Sequence, residues 1–394
     1  MEFSYLDNSA TTPVCSCAYK KMVEVLENNF GNPSSLHTLG MEAEKVVSEA
    51  RERIFASIGA KKYGKTKPQM LIFTASGTEA NNLALIGTAT AKDRRKGGKI
   101  IVGETEHPSV IETAKYLETH GFKVAFIPSP NGVWDMERYR AELTSDTILV
   151  SAMLVNNETG AVNDIAKIAE LARAKNPNVI VHCDAVQGFL KLPEPLASLP
   201  ADMFTISSHK IGGPKGAGAL FVREKILTTK SLVPVIHGGG QESGMRSGTE
   251  NTVGIAGFGA AAEAESKELS ASLKRFCELR ELLEKLIAEK ELDVRINKPD
   301  CRYAPHIISI TLPGIRSETM LHFLSSRGVY VSSGSACASN TGHKSHVLAS
   351  FGMSDKEVDS TIRVSLGVQN TENDIHNLVN ALAEGISSLS RRTK

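Results

Sequence analysis

The chain has 394 residues, enough for two domains at about 150 residues each or for one large domain with an appendage. Hydrophobic residues make up 41% and charged residues 23%, with 45 Lys and Arg against 44 Asp and Glu, which excludes disorder as the main state. A net charge of +1 gives no field to gather phosphate backbones, and no Lys/Arg block interrupts it, so nucleic-acid binding is not expected.

From about residue 40 to 256, short β-branched runs alternate with helical periods, the order that predicts strand-helix-strand units and a mostly parallel, two-faced sheet. A helix is expected where Ala43, Val46, Val47, Ala50, Ile54 and Ile58 recur at three- and four-residue spacing and stop at Gly59. Seven strands follow: Met70 to Thr74, Lys99 to Gly103, Phe122 to Ile127, Thr147 to Ala152, Val179 to Cys183, Met203 to Ser207 and Ala217 to Val222. Near Ala260 the pattern becomes one long period, with Leu269, Leu273, Phe276, Leu283, Leu286 and Ile287 on one face to about Lys290. Beyond it lie strand-like runs at Ile307 to Leu312, Val329 to Ser333 and Thr361 to Leu366, and helical stretches near 318–327, 343–351 and 371–390. That describes a smaller α+β domain.

No apolar stretch approaches the roughly 20 residues of a membrane-spanning helix. The start, MEFSYLDNSATTPVC, lacks the layout of a signal peptide. A cytoplasmic protein with no membrane contact is expected. The six cysteines, Cys15, Cys17, Cys183, Cys277, Cys301 and Cys337, are too sparse for a disulfide framework, so reduced thiols are expected. Cys15-x-Cys17 has neither C-x-x-C spacing nor a second pair to complete four zinc ligands, and it reads as two small residues near a helix start; no metal is expected.

Several runs carry chemistry. Ser207-Ser208-His209-Lys210, followed by Ile211-Gly212-Gly213-Pro214, places a lysine at a strand end among glycine and proline, as a Schiff-base lysine would be, although such a lysine also occurs as a solvated surface group. In Val181-His182-Cys183-Asp184-Ala185-Val186-Gln187 an acid stands just past a hydrophobic strand, where parallel sheets open their ligand crevice. Asp184 could hold a pyridinium nitrogen protonated or cap the next helix. Phe73 to Asn81, FTASGTEAN, runs from a strand into a helix with glycine and hydroxyls at the turn, a place that favours an anion, and it is neither a Walker loop nor a dinucleotide fingerprint. The polar, glycine-rich run His237 to Thr249 reads as a binding loop. His107, in Glu104 to Ser109, could lie against a flat ring or move a proton. Cys337, in Ser332 to Asn340, is set among small residues, which suits a nucleophilic thiol.

In order and wording these runs, with Tyr5 to Pro13, Gly31 to Ser35, Val155 to Glu158, Met245 to Thr249 and Ile362-Arg363, resemble the cysteine desulfurases of the NifS/IscS type within the class V aminotransferase superfamily. The likeness covers nearly the whole chain. It implies an α/β, fold-type I pyridoxal 5′-phosphate enzyme, with a large domain over 15–260 and a small domain made of 1–14 and 261–394. By the same likeness Lys210 carries the cofactor, Asp184 pairs with its ring nitrogen, His107 stacks on the ring, and Gln187 and Asn157 meet its polar edge. Gly77, Thr78, Ser207 and His209 would hold the phosphate, joined in a homodimer by Thr249 of the partner subunit. Arg363 would clamp the carboxylate of L-cysteine, a task that suits a planar guanidinium, and Asn157 would also face the substrate. Cys337 would take the sulfur as a persulfide and pass it to an acceptor or scaffold protein. Nine residues between Cys337 and Val347 resemble the family's long-loop form.

The activity expected is desulfuration of L-cysteine to L-alanine, with iron-sulfur cluster assembly and thiolation both open as destinations. A selenocysteine lyase or another class V aminotransferase is the first alternative, though transamination needs no thiol. A non-catalytic sulfur-relay platform is the second, though a platform needs none of Lys210, Asp184 and Arg363.

Overall fold

The computed structural model describes residues 3–60, 69–92, 95–334 and 344–390. Its strands are β1 (Ser4–Tyr5), β2 (Gln69–Thr74), β3 (Lys99–Gly103), β4 (Lys123–Ile127), β5 (Thr147–Ser151), β6 (Ile180–Asp184), β7 (Met203–Ser207), β8 (Gly218–Arg223), β9 (Arg295–Ile296), β10 (Ile307–Thr311), β11 (Val329–Tyr330), β12 (Ser332–Ser333) and β13 (Thr361–Ser365). Its helices are α1 (Ser16–Asn28), α2 (Thr38–Ile58), α3 (Gly77–Ala89), α4 (Pro108–Thr119), α5 (Met136–Glu142), α6 (Ile165–Lys175), α7 (Glu224–Thr228), α8 (Thr252–Glu289), α9 (Ser317–Ser326), α10 (His346–Ser350), α11 (Asp355–Asp359) and α12 (Glu372–Ser390).

The seven expected strands form one sheet in the order β2-β8-β7-β6-β5-β3-β4. All neighbours are parallel except β8, which runs antiparallel to β2 and β7. Its inner strands β5, β6, β7 and β8 are largely buried on both faces, as a covered parallel sheet requires. In β8, Ala219 and Phe221 enter one apolar core with α2 and the start of α8, while Leu220 and Val222 enter another with α3 and α4. That is the two-residue period of a pleated strand. Helix α2 ends at Gly59 in the left-handed region, φ 76°, as its glycine terminator predicts.

A second, smaller layer holds the antiparallel sheet β12-β13-β10-β9 and the pair β1-β11. The expected strand Val329 to Ser333 is split: β11 pairs with β1 and β12 with β13, so the run passes from one small sheet to another at Val331. Helix α8 serves both layers. Ile255, Phe258, Ala261 and Ala262 sit in the large core, and Phe276, Leu279, Leu283 and Ile287 in the small one. Burying each of the larger side chains among them stabilises by roughly 1.5–3 kcal/mol, so a single rod fastens the two layers together. The carboxyl ends of β6 and β7 and the start of α3 converge on one edge of the large sheet, with β13 and the N-terminal segment across from it. Among the described residues no helix is long and apolar enough to cross a membrane, and no group of three metal-ligating side chains forms.

Candidate active site

Lys210 closes a short 3-10 turn, Ser208–Lys210, directly after β7. Its Nζ donates to the carbonyls of Ser9 at 2.5 Å and Ala10 at 2.7 Å. The following residues of the N-terminal segment continue as a strap over the same loop. The N–H and Oγ1 of Thr12 both donate to the His209 carbonyl at 2.9 Å, Gly212 N donates to Thr12 Oγ1 at 2.8 Å, and Cys15 N donates to the Gly212 carbonyl at 2.8 Å. Gly212 holds φ +77°, a conformation that glycine reaches without strain.

Asp184 ends β6. Its Oδ2 accepts from Asn81 Nδ2 at 2.7 Å and its Oδ1 from the backbone of Val186 at 3.0 Å, so the carboxylate is braced from two sides and caps a turn rather than a helix. Asn81 also donates to Ser109 Oγ at 2.8 Å, and that hydroxyl lies 2.8 Å from His107 Nδ1. The same Nδ1 accepts from Ser109 N at 3.1 Å as the N-cap of α4, which leaves the ring proton on Nε2. Burial lowers the His107 pKa; Asp184 pulls it up, and Lys210 and His346 push it down. The ring is therefore neutral at pH 7, suited to lying against another flat ring.

At the start of α3, Ser76 caps the helix by accepting from Glu79 N at 3.2 Å, and the free N–H groups of the first turn make an anion site. A Cβ on Gly218 would fall 2.6 Å from the Ser76 carbonyl carbon, so β8 must carry glycine where it passes this turn. Gly77 opens the helix against Val186 and Ser207, where an added Cβ would stand 3.0 Å and 3.5 Å from their side chains, and Thr78 is exposed beside it. His209 hydrogen-bonds Thr11 Oγ1 at 3.2 Å, and burial, with Lys210, Lys215 and His107 nearby, lowers its pKa to about 4. Two buried polar atoms on this edge, Asn81 Oδ1 and Ser208 Oγ, have no protein partner. An amine, a braced carboxylate, a flat neutral imidazole and a helix N-terminus together fit an aromatic aldehyde phosphate with a basic ring nitrogen.

Across the cleft, Arg363 lies buried on β13. Its Nη2 donates to Asp7 Oδ1 at 2.8 Å and its Nη1 to the Asn157 carbonyl at 3.1 Å, while Nε has no partner. Glu158 is buried beside it and accepts from Ser345 Oγ at 2.5 Å. Burial raises the Glu158 pKa to about 7 against the lowering pull of Ser345 and Arg363. A Cβ on Gly334 would lie 3.0 Å from Glu158 Oε2, so this carboxyl touches both Gly334 and Ser345. Cys337 lies between those two positions, outside the described residues.

The fold thus gathers Lys210, Asp184, His107, Gly77, Ser207 and His209 on one sheet edge, and Arg363 with Asn157 opposite. Gln187 turns its amide to the Ser9 carbonyl at 2.9 Å. Thr249 is exposed ahead of α8, in a loop tied to α3 by Arg246 and Glu79 at 2.8 Å. That glycine-rich loop is also an anchored structure, since Glu242 within it is buried against Arg51 and the Phe73 N–H. Sequence reasoning gave no role to Asn81, Ser109, Asp7 or Glu158. Asn81 was within reach, because it stands one helical turn after Gly77 on the same face of α3.

Residues 4–378 match the family model of aminotransferase class-V, and the chain belongs to that family, whose members of this kind are pyridoxal-phosphate enzymes. Within it, the chain is 38% identical over 386 residues to the cysteine desulfurase IscS of Dictyoglomus turgidum, covering 98% of this chain and 95% of that protein. It is 40% identical over 389 residues to the cysteine desulfurase IscS of Klebsiella pneumoniae, covering 98% and 93%. Among solved structures a NifS-like protein matches with a TM-score of 0.89 at 34% identity, covering 98% of this chain and 100% of that one.

Proposed function

We propose that this protein is a pyridoxal-phosphate-dependent cysteine desulfurase whose site is built from the residues gathered on the sheet edge and on β13. The observation that carries this reading is the meeting of Lys210 and Asp184 on that edge, with a neutral His107 braced through Ser109 and Asn81. Lys210 would attach the cofactor, Asp184 would face its ring nitrogen, and His107, Asn157 and Gln187 would border the ring. Gly77, Thr78, Ser207 and His209 would receive the phosphate, with Thr249 supplied by the partner subunit. When bound, the cofactor supplies an electron sink for charge developing at the Cα of an amino acid.

The remaining work belongs to the protein. Arg363 and Asn157 orient the substrate carboxylate, and the Lys210 amine takes the Cα proton and returns it. The Cys337 thiolate attacks the substrate sulfur, forming an S–S bond as the Cβ–S bond breaks; the bonding pair goes to the three-carbon fragment, which leaves protonated as L-alanine. L-cysteine and a protein thiol thus give L-alanine and a persulfide, which thiol exchange delivers to an acceptor protein of iron-sulfur or thiolation chemistry.

A cytoplasmic homodimer completes the reading. Tyr19, Leu26, Phe30, Leu36, Leu39 and Met41 on and between α1 and α2 are exposed, an apolar surface that suits a second copy. The division into 15–260 and 1–14 with 261–394 is supported by the two cores that α8 joins. The test is incubation with L-cysteine and a thiol reductant, with alanine and sulfide measured in one sample. Equal yields are expected, and without reductant the Cys337 peptide gains one sulfur atom that dithiothreitol removes. Alanine formation by Cys337→Ala at the unchanged rate would overturn the persulfide route.

A further inference from the structure

Behind the lysine loop lies a second cleft of about 240 Å³, walled by Thr12 to Cys15, by Ile211 and Gly212, and by Gly367 to Gln369. Two charged side chains line it, Lys191 and Glu265, which are only 6% and 9% exposed. Among the described residues neither makes a hydrogen bond or an ion pair. Lys191 Nζ stands over the Phe276 ring at 5.3 Å from its centre, a contact that leaves its three N–H donors unused. Burial lowers the Lys191 pKa and raises that of Glu265, while each charge pulls the other back toward ionisation.

Other charged neighbours are committed elsewhere. Arg280 holds Glu284 at 3.1 Å and the Ile307 carbonyl at 3.2 Å, and stacks on Tyr303. His306 is buried and kept neutral, its pKa far below the usual value through burial and the charges of Lys191 and Arg280. The Cys15 thiol, 2.9 Å from Cys17, is kept protonated by a pKa raised to about 11. The cleft therefore offers one amine and one carboxyl without a protein hydrogen-bond partner, between walls of Pro13, Val14, Ile211 and Val368.

Both polar ends open on the cleft and neither has a protein hydrogen-bond partner, so a ligand that bonds them supplies partners that the protein does not. A simple anion or cation would satisfy one and repel the other. We propose that this cleft is a second ligand site, separate from the lysine site, for a small zwitterion of the α-amino-acid class, its carboxylate on Lys191 and its ammonium group on Glu265. An occupant there touches the strap that covers Lys210 and the turn after β13, so it would hold the two layers at their joint.

The test titrates N,N-dimethylglycine into the holoenzyme by calorimetry, because a tertiary amine cannot condense with the cofactor's carbonyl group. Binding is expected to weaken by about tenfold or more in Lys191→Met and in Glu265→Gln and to persist in Arg363→Ala. Acetate and dimethylammonium should each bind at least about tenfold more weakly than the zwitterion. Val368→Trp, at the exposed mouth of the cleft, should block binding without disturbing the buried pair, and it decides the matter if a Lys191 or Glu265 variant does not fold. No heat with the unmodified protein, equal binding of acetate, or loss in Arg363→Ala with retention in Val368→Trp would each overturn the proposal.

Discussion

On the side of the seven-stranded sheet, Asp184, Asn81, Ser109 and His107 form a continuous run of hydrogen bonds, and Lys210 sits under two carbonyls. On the side of β13, Arg363 keeps one buried N–H without a partner, and Glu158 has a pKa of about 7 between Gly334 and Ser345. The first side braces its carboxylate and its imidazole inside the protein, with Asn81 Oδ1 and Ser208 Oγ left open beside them; the second leaves the cation that faces it with a donor to be matched and a carboxyl at the point of titration. The contrast fits a division of labour in which a resident group is fixed once, while a substrate comes and goes with each turnover.

Changes on the fixed side should therefore strike the cofactor, and changes on the other side should strike the substrate. The largest effect is expected from Lys210→Ala, which should abolish the borohydride-reducible link and lower turnover by more than about a thousandfold. Finding the reduced cofactor on Lys215 by peptide mapping would reassign the lysine. Arg363→Ala should raise the KM for cysteine and lower kcat/KM by about a hundredfold through loss of charge-assisted hydrogen bonds, with cofactor content unchanged. Cofactor loss in that variant would erase the distinction between the two sides.

Asn81→Ala should lower kcat by roughly tenfold, because Asp184 Oδ2 loses its donor. The visible absorption of the bound cofactor should shift as well, which mere loosening of α3 would not produce. The smallest effect concerns Glu158. Its pKa is raised from an ordinary 4.5 to about 7, so the folded chain binds more protons than the unfolded chain between those values. Stability should accordingly fall as pH rises from about 4.5 to about 7 and level off above, a drop of a few degrees in Tm. Glu158→Gln should flatten that stretch of the Tm profile, and an unchanged profile would show that the carboxyl is not titrating there.

Much of this was legible in the chain, and the reason is local. The inner strands of the large sheet are mostly apolar because both faces are covered, so β3 and β7 coincide with their expected bounds. Lys210 and Asp184 were legible as strand-end residues, since parallel sheets present ligands at that edge. Two-residue β1 was beyond reach, and the run Val329 to Ser333 gave no sign that it changes sheets. Helix α11 escaped notice despite the capping box of Ser354 and Glu357, a local signal that was there to be read. Asp7 on Arg363 and Glu158 on Ser345 depend on residues 356 and 187 positions away, a distance that no spacing rule covers.

The strap of residues 9–15 also bears on how the protein is made. Ser9 meets β13 through Ser365 Oγ, 356 residues later in the chain. At about 5–20 residues per second, roughly 20 to 70 s separate the synthesis of these two residues. The loop from His209 to Gly212, which the strap also bonds, is made well before β13, so the strap can be laid over the lysine with the large sheet while its Ser9 anchor waits. The anchor from Ser9 to β13 therefore comes among the last steps of assembly, and a chain interrupted before β13 can carry a finished sheet but not a finished site.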